Sequence, residues 1–385
     1  MSKKRLVRIG IIIGVLILAE LLLIGVPRIK FYFDQRGEIL EGDTQDASSS
    51  GEAGEEGTEA TEASSEDEGG TSDFNPGDYP DSDHLTLGLR GTNPTLVKEG
   101  DPYIESGAFC IDDRSGAVKT LSTEGTVDTS KAGDYKVKYT FESENAMGVI
   151  ERTVRVVPAE EFQEKEDGLA VFMYHYVYTE EDMPDEINSN YILDSELEKQ
   201  LAWLRDNQFY FPSFAEVRAF VEGRLSLPKN SCVLTFDDGQ RGFLEYGIPL
   251  LEKYEIPAVS FLIVSYDAEG IMKNYASPYI AFESHSYDMH RAGGYIGHGG
   301  VISALTKEEI QEDLKKAADI LGTSAAFAYP YGDYTDEARE AVMNVGILCS
   351  FTTEWEWVRV GDDPSMLPRV RIIGDAGLDA FIGSM

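Results

Sequence analysis

The sequence predicts an α/β fold for its C-terminal half: a parallel sheet, open or closed into a barrel, preceded by a small all-β sandwich and an N-terminal transmembrane helix. Three observations carry this. From about residue 168 onward, strand-like and helix-like segments alternate, and such alternation requires crossover connections and hence parallel strands. Between residues 85 and 157 short alternating runs are instead broken by Gly, Pro, Asp and Asn at the intervals of a sandwich. Residues 9–26 are apolar apart from Glu20, a run long enough to cross a bilayer.

Taken in order, the chain begins with Lys3, Lys4, Arg5 and Arg8 ahead of the apolar run. A basic flank predicts a cytoplasmic N-terminus; the run exceeds a usual signal-peptide core, and no small-x-small cleavage site follows it. Residues 1–30 are therefore expected to be a cytoplasmic tail and uncleaved signal anchor, with a cleaved signal peptide as the alternative. Either way the remainder lies outside the cell, on a Gram-positive-type surface. Residues 34–83 hold seventeen Asp or Glu against one Arg, with almost no large apolar side chain after Leu40. Such a segment cannot bury enough surface to offset its ordering entropy, so residues 31–83 are expected to form an extended, self-repelling linker. Over the full 385 residues the formal charge is −36, which argues against nucleic acid and anionic lipid as partners.

The sandwich is expected over residues 84–158, from the runs at 85–89, 117–121, 135–141 and 149–157, with residues 159–167 as a short linker. It holds no paired carboxylates or histidine cluster, so a spacer or glycan-contacting module is expected. His84 falls in the linker and is given no role. Cys110, Cys232 and Cys349 are an odd set, and buried thiols are expected. A Cys232–Cys349 disulfide stays open, because both lie in strand-like runs and parallel strands can be neighbours.

Within residues 168–385, strands are expected at 169–175, 232–236, 258–264, 279–282, 325–329 and 347–352. Leu197, Leu201 and Leu204 at helical spacing behind a Ser195-x-x-Glu198 capping box predict a helix over 194–207. Thr306-x-x-Glu309 opens another, to about Leu321, with Ile310, Leu314 and Ala318 on one side, and a third is expected at 336–345. No helix is expected between residues 264 and 279. In a parallel α/β fold the site lies at the carboxyl ends of the strands. His175, Asp237, Asp238, His285, His290 and Tyr331 each end or follow a strand.

The chain is organised around Cys232-Val-Leu-Thr-Phe-Asp-Asp-Gly-Gln240, a buried strand running into two adjacent carboxylates and a glycine. Neighbouring side chains at a strand end point different ways, so one carboxylate can ligate a metal while the other handles protons. Asp-Gly alone is an ordinary turn dipeptide. Context changes the reading. After the next apolar run comes Glu283-Ser-His-Ser-Tyr-Asp-Met-His290, and after a further strand-like run Phe327-Ala-Tyr-Pro-Tyr-Gly332. Two imidazoles and a carboxylate suit zinc, cobalt, nickel or iron, and leave positions open for water and substrate. A spacing of five suits a strand-end loop better than one face of a helix.

Thr235-Phe-Asp-Asp-Gly239, the two histidines and Tyr329-Pro-Tyr-Gly332 together resemble the NodB-homology polysaccharide deacetylases, carbohydrate esterase family 4. The histidine spacing, with Met173-Tyr-His-Tyr-Val177 upstream, is similar to the poly-β-1,6-N-acetylglucosamine deacetylase branch. Residues 125–140 resemble bacterial immunoglobulin-like repeats. The resemblance implies a distorted (β/α)7 barrel over 168–385. It implies one divalent ion on Asp238, His285 and His290 that activates water and polarises an acetamide carbonyl, with Asp237 as general base. It implies Tyr331, through its backbone N–H in the Pro330-Tyr331-Gly332 turn, as donor to the oxyanion, and His175 as general acid. A core histidine is the other reading of His175.

One departure concerns the arginine that orients the base, whose usual place is taken by Ala328; Arg369 or Arg371 is expected to substitute. His298, in Gly297-His-Gly-Gly300, is expected on the rim. The substrate implied is an acetylated glucosamine polysaccharide of β-1,6 type. Peptidoglycan, an O-acetylated polysaccharide, or non-catalytic glycan binding are the alternatives.

Overall fold

A small antiparallel sheet, a mixed sheet in which only β2 runs parallel to its neighbour, and then a parallel sheet account for nearly all the strand-like runs. The computed structural model describes residues 83–385 except 145 and 375, so the expected transmembrane helix and acidic linker lie outside the described residues. Among the described residues no helix is long and apolar enough to cross a membrane.

The first sheet of the sandwich joins β1 (Leu85–Leu89), β3 (Ala108–Asp112) and β4 (Gly116–Val118). The second joins β2 (Thr95–Lys98), β7 (Ala146–Val157), β6 (Gly133–Ser143) and β5 (Thr120–Glu124) in that order. Period-two patterning in β6 and β7 turns Val137, Tyr139, Phe141, Val154 and Val156 into a shared core and leaves the lysines of β6 outside. Strands β2 and β3 escape the sequence reading because each has five residues or fewer and no clean alternation. His84 is not a solvated linker residue: it is buried immediately before β1, with Nε2 3.7 Å from Asp112 Oδ2.

The large sheet has seven strands, all parallel. They are β8 (Ala170–Tyr174), β11 (Cys232–Asp237), β12 (Ala258–Leu262), β13 (Ile280–Ser284), β14 (Ala326–Ala328), β15 (Cys349–Phe351) and β16 (Val370–Arg371), in the spatial order β15-β14-β13-β12-β11-β8-β16. A separate parallel pair, β9 (Tyr176–Tyr178) and β10 (Tyr191–Leu193), lies beyond β8. The chain entering β16 meets β15 at Leu367, whose N–H donates to the Ser350 carbonyl at 2.8 Å and whose carbonyl accepts from Thr352 N–H at 2.9 Å. A single bridge in place of a ladder makes the curved sheet a distorted barrel, as expected. Helices α1 (Asp194–Asp206), α2 (Phe214–Val221), α3 (Ile248–Tyr254), α4 (Ala268–Asn274), α5 (Lys307–Leu321), α6 (Asp336–Val345) and α7 (Gly377–Ile382) complete it.

Three expectations about helices need correction, while the buried thiols are found as expected. Helix α4 occupies the stretch where none was expected; Asp267 caps it from a left-handed conformation (φ 62°), accepting from Gly270 N–H, and a Cβ at Gly270 would sit 2.3 Å from that carboxylate. Seven residues with an interior glycine give too little periodicity to read. The Ser195/Glu198 box does not form, because Ser195 lies inside the first turn of α1, whose N-cap is Leu193, and Glu198 instead takes bonds from Lys253 and Tyr254; the Thr306/Glu309 box does form. On α5 the buried stripe runs through Ala317, not Ala318. All three cysteines are free and buried, and Cys232 and Cys349 stand on strands separated by three others.

The sandwich is docked on the barrel rather than held away from it. Thr92 N–H donates to the Phe211 carbonyl (2.9 Å) and Phe211 N–H to Thr92 Oγ1 (2.7 Å), while Ser106 bonds Ser213 and Glu216. Arg90 pairs with Glu283 of β13, a carboxylate fully buried and also bonded by Thr323 and Ala326 N–H, at the amino end of β14. The sandwich thus covers the amino ends of the barrel strands and leaves the carboxyl ends free. Removing one partner of a buried pair strands the other charge. Arg90→Ala should lower unfolding free energy by about 3 kcal/mol in urea titration, and adding Glu283→Leu should recover a large part of it; full stability in the single variant would show that the pair is not needed.

Candidate active site

Four strands end around one site at the carboxyl side of the barrel, and a long side chain from the start of β16 reaches up to it. Asp237 is the last residue of β11; Asp238 follows with φ 75°, a left-handed conformation that swings its carboxylate away from its neighbour's. His285 follows β13, His175 follows β8, the Pro330–Gly332 turn follows β14 and Arg369 immediately precedes β16.

The two carboxylates have separate partners. Asp237 receives a bidentate pair from Arg369, Nη1 to Oδ1 at 2.7 Å and Nη2 to Oδ2 at 2.8 Å. Arg369 is fully buried and also bonds Thr235 Oγ1 (3.1 Å) and the Thr352 carbonyl (3.0 Å), so its fork is held in one orientation. Arg371 reaches Asn190 instead, so of the two arginines it is Arg369 that meets Asp237. Burial raises the Asp237 pKa, but Arg369 outweighs it and holds the carboxyl below the usual range.

Asp238 Oδ1 lies 3.3 Å from Nε2 of both His285 and His290, and the three side chains are buried. That oxygen has no hydrogen-bond donor among the described residues, although it is sealed from water. His285 Nδ1–H donates to the Ala328 carbonyl at 2.7 Å, which sets the tautomer and aims Nε2 inward. Burial opposes charge on His285, yet Asp238 and Asp237 outweigh it and hold its pKa above the ordinary value; burial pushes His290 down to about 4. One carboxylate oxygen and two imidazole nitrogens within 4.8 Å of one another, with an unsatisfied acceptor at the centre, fit a divalent cation.

Tyr331 sits at φ 62°, and its ring stacks on His290 with centroids 4.5 Å apart. A Cβ at Gly332 (φ 76°) would lie 2.2 Å from Thr353 Oγ1, so only glycine fits. His175 is half-buried beside the carboxylates: burial holds its pKa below the usual imidazole value, opposed by Asp237 and Asp238. His298 is on the rim, as expected, with Nδ1 3.0 Å from the Tyr331 carbonyl.

Sequence reasoning missed Asp333, whose buried carboxylate accepts the N–H groups of His298 (2.9 Å) and Gly300 (2.8 Å) and so ties the glycine-rich rim loop to the Tyr331 turn. A Cβ at Gly297 would lie 1.7 Å from Asp333 Oδ1. A glycine-rich run was the available signal, and its partner could not be read.

Residues 224–349 match the family model for polysaccharide deacetylase, and residues 87–156 that for the bacterial surface protein Ig-like domain. The chain carries a polysaccharide deacetylase domain. The chain is 27% identical over 239 residues to the poly-β-1,6-N-acetyl-D-glucosamine N-deacetylase of Staphylococcus epidermidis, across 55% of this chain and 81% of that protein. With the enzyme of the same name from Staphylococcus aureus strain MRSA252 it shares 26% over 208 residues, 50% of this chain and 71% of that protein. Among solved structures, the Streptococcus pyogenes deacetylase PplD in complex with acetate aligns with TM-score 0.49 and 21% identity, over 57% of this chain and 98% of that one.

In this deacetylase domain Asp238, His285 and His290 form one cluster and Asp237 belongs to Arg369. Elemental analysis should therefore find about one divalent ion per chain, lost in His285→Ala and His290→Ala and weakened in Asp238→Asn, while Asp237→Asn keeps it. Full occupancy in His290→Ala would remove that residue from the set.

Proposed function

We propose that the protein is a metal-dependent N-deacetylase that removes acetyl groups from N-acetylglucosamine residues of a poly-β-1,6-linked extracellular polysaccharide. The observation that carries this is the split of the adjacent carboxylates: Asp237 held by Arg369, and Asp238 shared by His285 and His290. The names of the Staphylococcus relatives support the choice of substrate. Zinc, cobalt, nickel and iron all accept this donor set.

Asp238, His285 and His290 would hold the ion, which when bound supplies Lewis acidity toward water and the acetyl carbonyl. Asp237 takes the proton of the attacking water. Arg369 keeps Asp237 ionised and therefore available as a base, and holds its plane fixed. The backbone N–H of Tyr331, in the turn after Pro330 and before Gly332, donates to the oxyanion, and stacking on His290 fixes that turn against the ligand set. His175 protonates the departing amine. Burial makes its imidazolium a stronger acid, and the nearby carboxylates favour its charged form. Residues 9–26 would anchor the enzyme in the membrane and residues 31–83 carry it outward, which places catalysis on the outer face.

Acetate release from acetylated β-1,6-glucosamine oligomers, chitooligomers, peptidoglycan and acetylated xylan tests the substrate, with the first expected to be fastest. Release from none of them would sink the enzymatic reading. His175→Ala should retain metal and fold but lose two to four orders of magnitude on amides. An aryl acetate, whose leaving group needs no proton, should suffer much less. Equal losses on both substrates with a lowered melting temperature would make His175 a core residue.

A further inference from the structure

The five-residue spacing leaves Ser286, Tyr287, Asp288 and Met289 to turn the chain so that both imidazoles reach one oxygen of Asp238. The turn begins under strain. Ser286 takes φ 79°, a left-handed conformation that is strained for a non-glycine residue and persists only where surrounding bonds determine it.

Those bonds come from three sides. Towards the sheet, Val264 N–H donates to the Ser286 carbonyl (3.0 Å) and Ser265 N–H to the Tyr287 carbonyl (2.9 Å). Within the turn, Ser284 Oγ accepts from Ser286 N–H (3.1 Å) and Ser286 Oγ from Met289 N–H (3.0 Å), and the Met289 side chain is buried. The outer side is held by one residue of α5. Asp313 accepts the Tyr287 N–H on Oδ1 at 2.7 Å and the Asp288 N–H on Oδ2 at 2.8 Å, so two consecutive amides of the turn use both its oxygens. Three residues on, Lys316 Nζ stands 3.6 Å from the centroid of the Tyr287 ring, a second hold from the same helix. Burial pushes the Asp313 carboxyl up to about 6 in spite of the two amide donors, so it is a costly way to hold a surface loop.

We infer that Asp313 is a positioning residue for the metal centre: by clamping Tyr287 and Asp288 it sets the reach and orientation of His290 toward Asp238. The inference rests on the ligand set assigned above. Asparagine is nearly isosteric but must turn an amide N–H2 toward one of the two backbone N–H groups, so it cannot serve both. The clamp acts on the loop and not on the ion, and its loss should show in coordination before it shows in folding.

The test measures Co2+ dissociation constants by chelator competition and the visible spectrum of the Co2+ form, using the full chain as wild type, His290→Ala, Asp313→Asn, Asp313→Glu and Asp319→Asn, together with melting temperatures in chelator. Asp319 is exposed on the same helix and controls for the helix itself. Asp313→Asn should weaken Co2+ binding by about ten- to a hundredfold, the usual effect of losing an outer support of a metal site. It should also change the spectrum and melt, metal-free, close to Asp319→Asn. Asp313→Glu, which keeps both oxygens, should recover most of the affinity. Wild-type affinity and spectrum in Asp313→Asn overturn the inference, as does accumulation of that variant unfolded, which would assign Asp313 to folding. Failure of the ligand set reads differently: the wild type would bind no Co2+, or His290→Ala would bind it normally.

Discussion

The bidentate pair between Arg369 and Asp237 is the interaction on which the rest of the centre depends. Two adjacent carboxylates at a buried strand end would otherwise compete, since like charges in one low-dielectric site cannot both remain ionised without compensation. Arg369 settles the charge of the first. The second, Asp238, is left with an oxygen that has two imidazoles beside it and no donor among the described residues, an arrangement that fits a cation. The same arginine joins the barrel where its sheet is weakest. Its side chain bonds Thr235 of β11 and the Thr352 carbonyl, and its backbone N–H donates to the Glu354 carbonyl, so the seam between first and last strands and the charge of Asp237 are held by one residue.

The two ends of the barrel are treated differently. At the amino ends a docked sandwich supplies Arg90 to Glu283 and a row of buried hydroxyl and carboxylate bonds around Ser106, Ser213 and Glu216. That end is closed. At the carboxyl ends lie Asp238, Asp267, Ser286 and Tyr331, four of the seven non-glycine residues at positive φ among the described residues. Two of them are held by their surroundings, Tyr331 by the stack on His290 and by His298 at its carbonyl, Ser286 by the sheet and by the bond from Met289 N–H to its hydroxyl.

Much was legible in the sequence because it rests on local physics. Alternation of strand and helix implied a parallel sheet; Thr306-x-x-Glu309 marked the start of α5; and the position of Asp237, Asp238, His285 and Tyr331 after apolar runs placed them at one end of the barrel, since strand direction alone decides which end a following residue occupies. Short-range periodicity failed where elements were short. Strand β2 has four residues and α4 seven, too few turns or alternations to stand out from a loop.

What the tertiary structure alone decided are the pairings across long sequence separations. Arg369 and Arg371 are two apart and equally basic, and only the height of each along the barrel sends one to Asp237 and the other to Asn190. Asp313 and Asp333 read as ordinary solvated acids, yet each accepts two backbone N–H groups from a loop far away in the chain. Cys232 and Cys349 could have been neighbours, and the strand order sets three strands between them. By itself the sequence determined which elements form and which residues stand at the catalytic end, because those follow from the chain's own alternation and direction. Which side chains meet there depends on sheet order and loop closure, which no local pattern encodes.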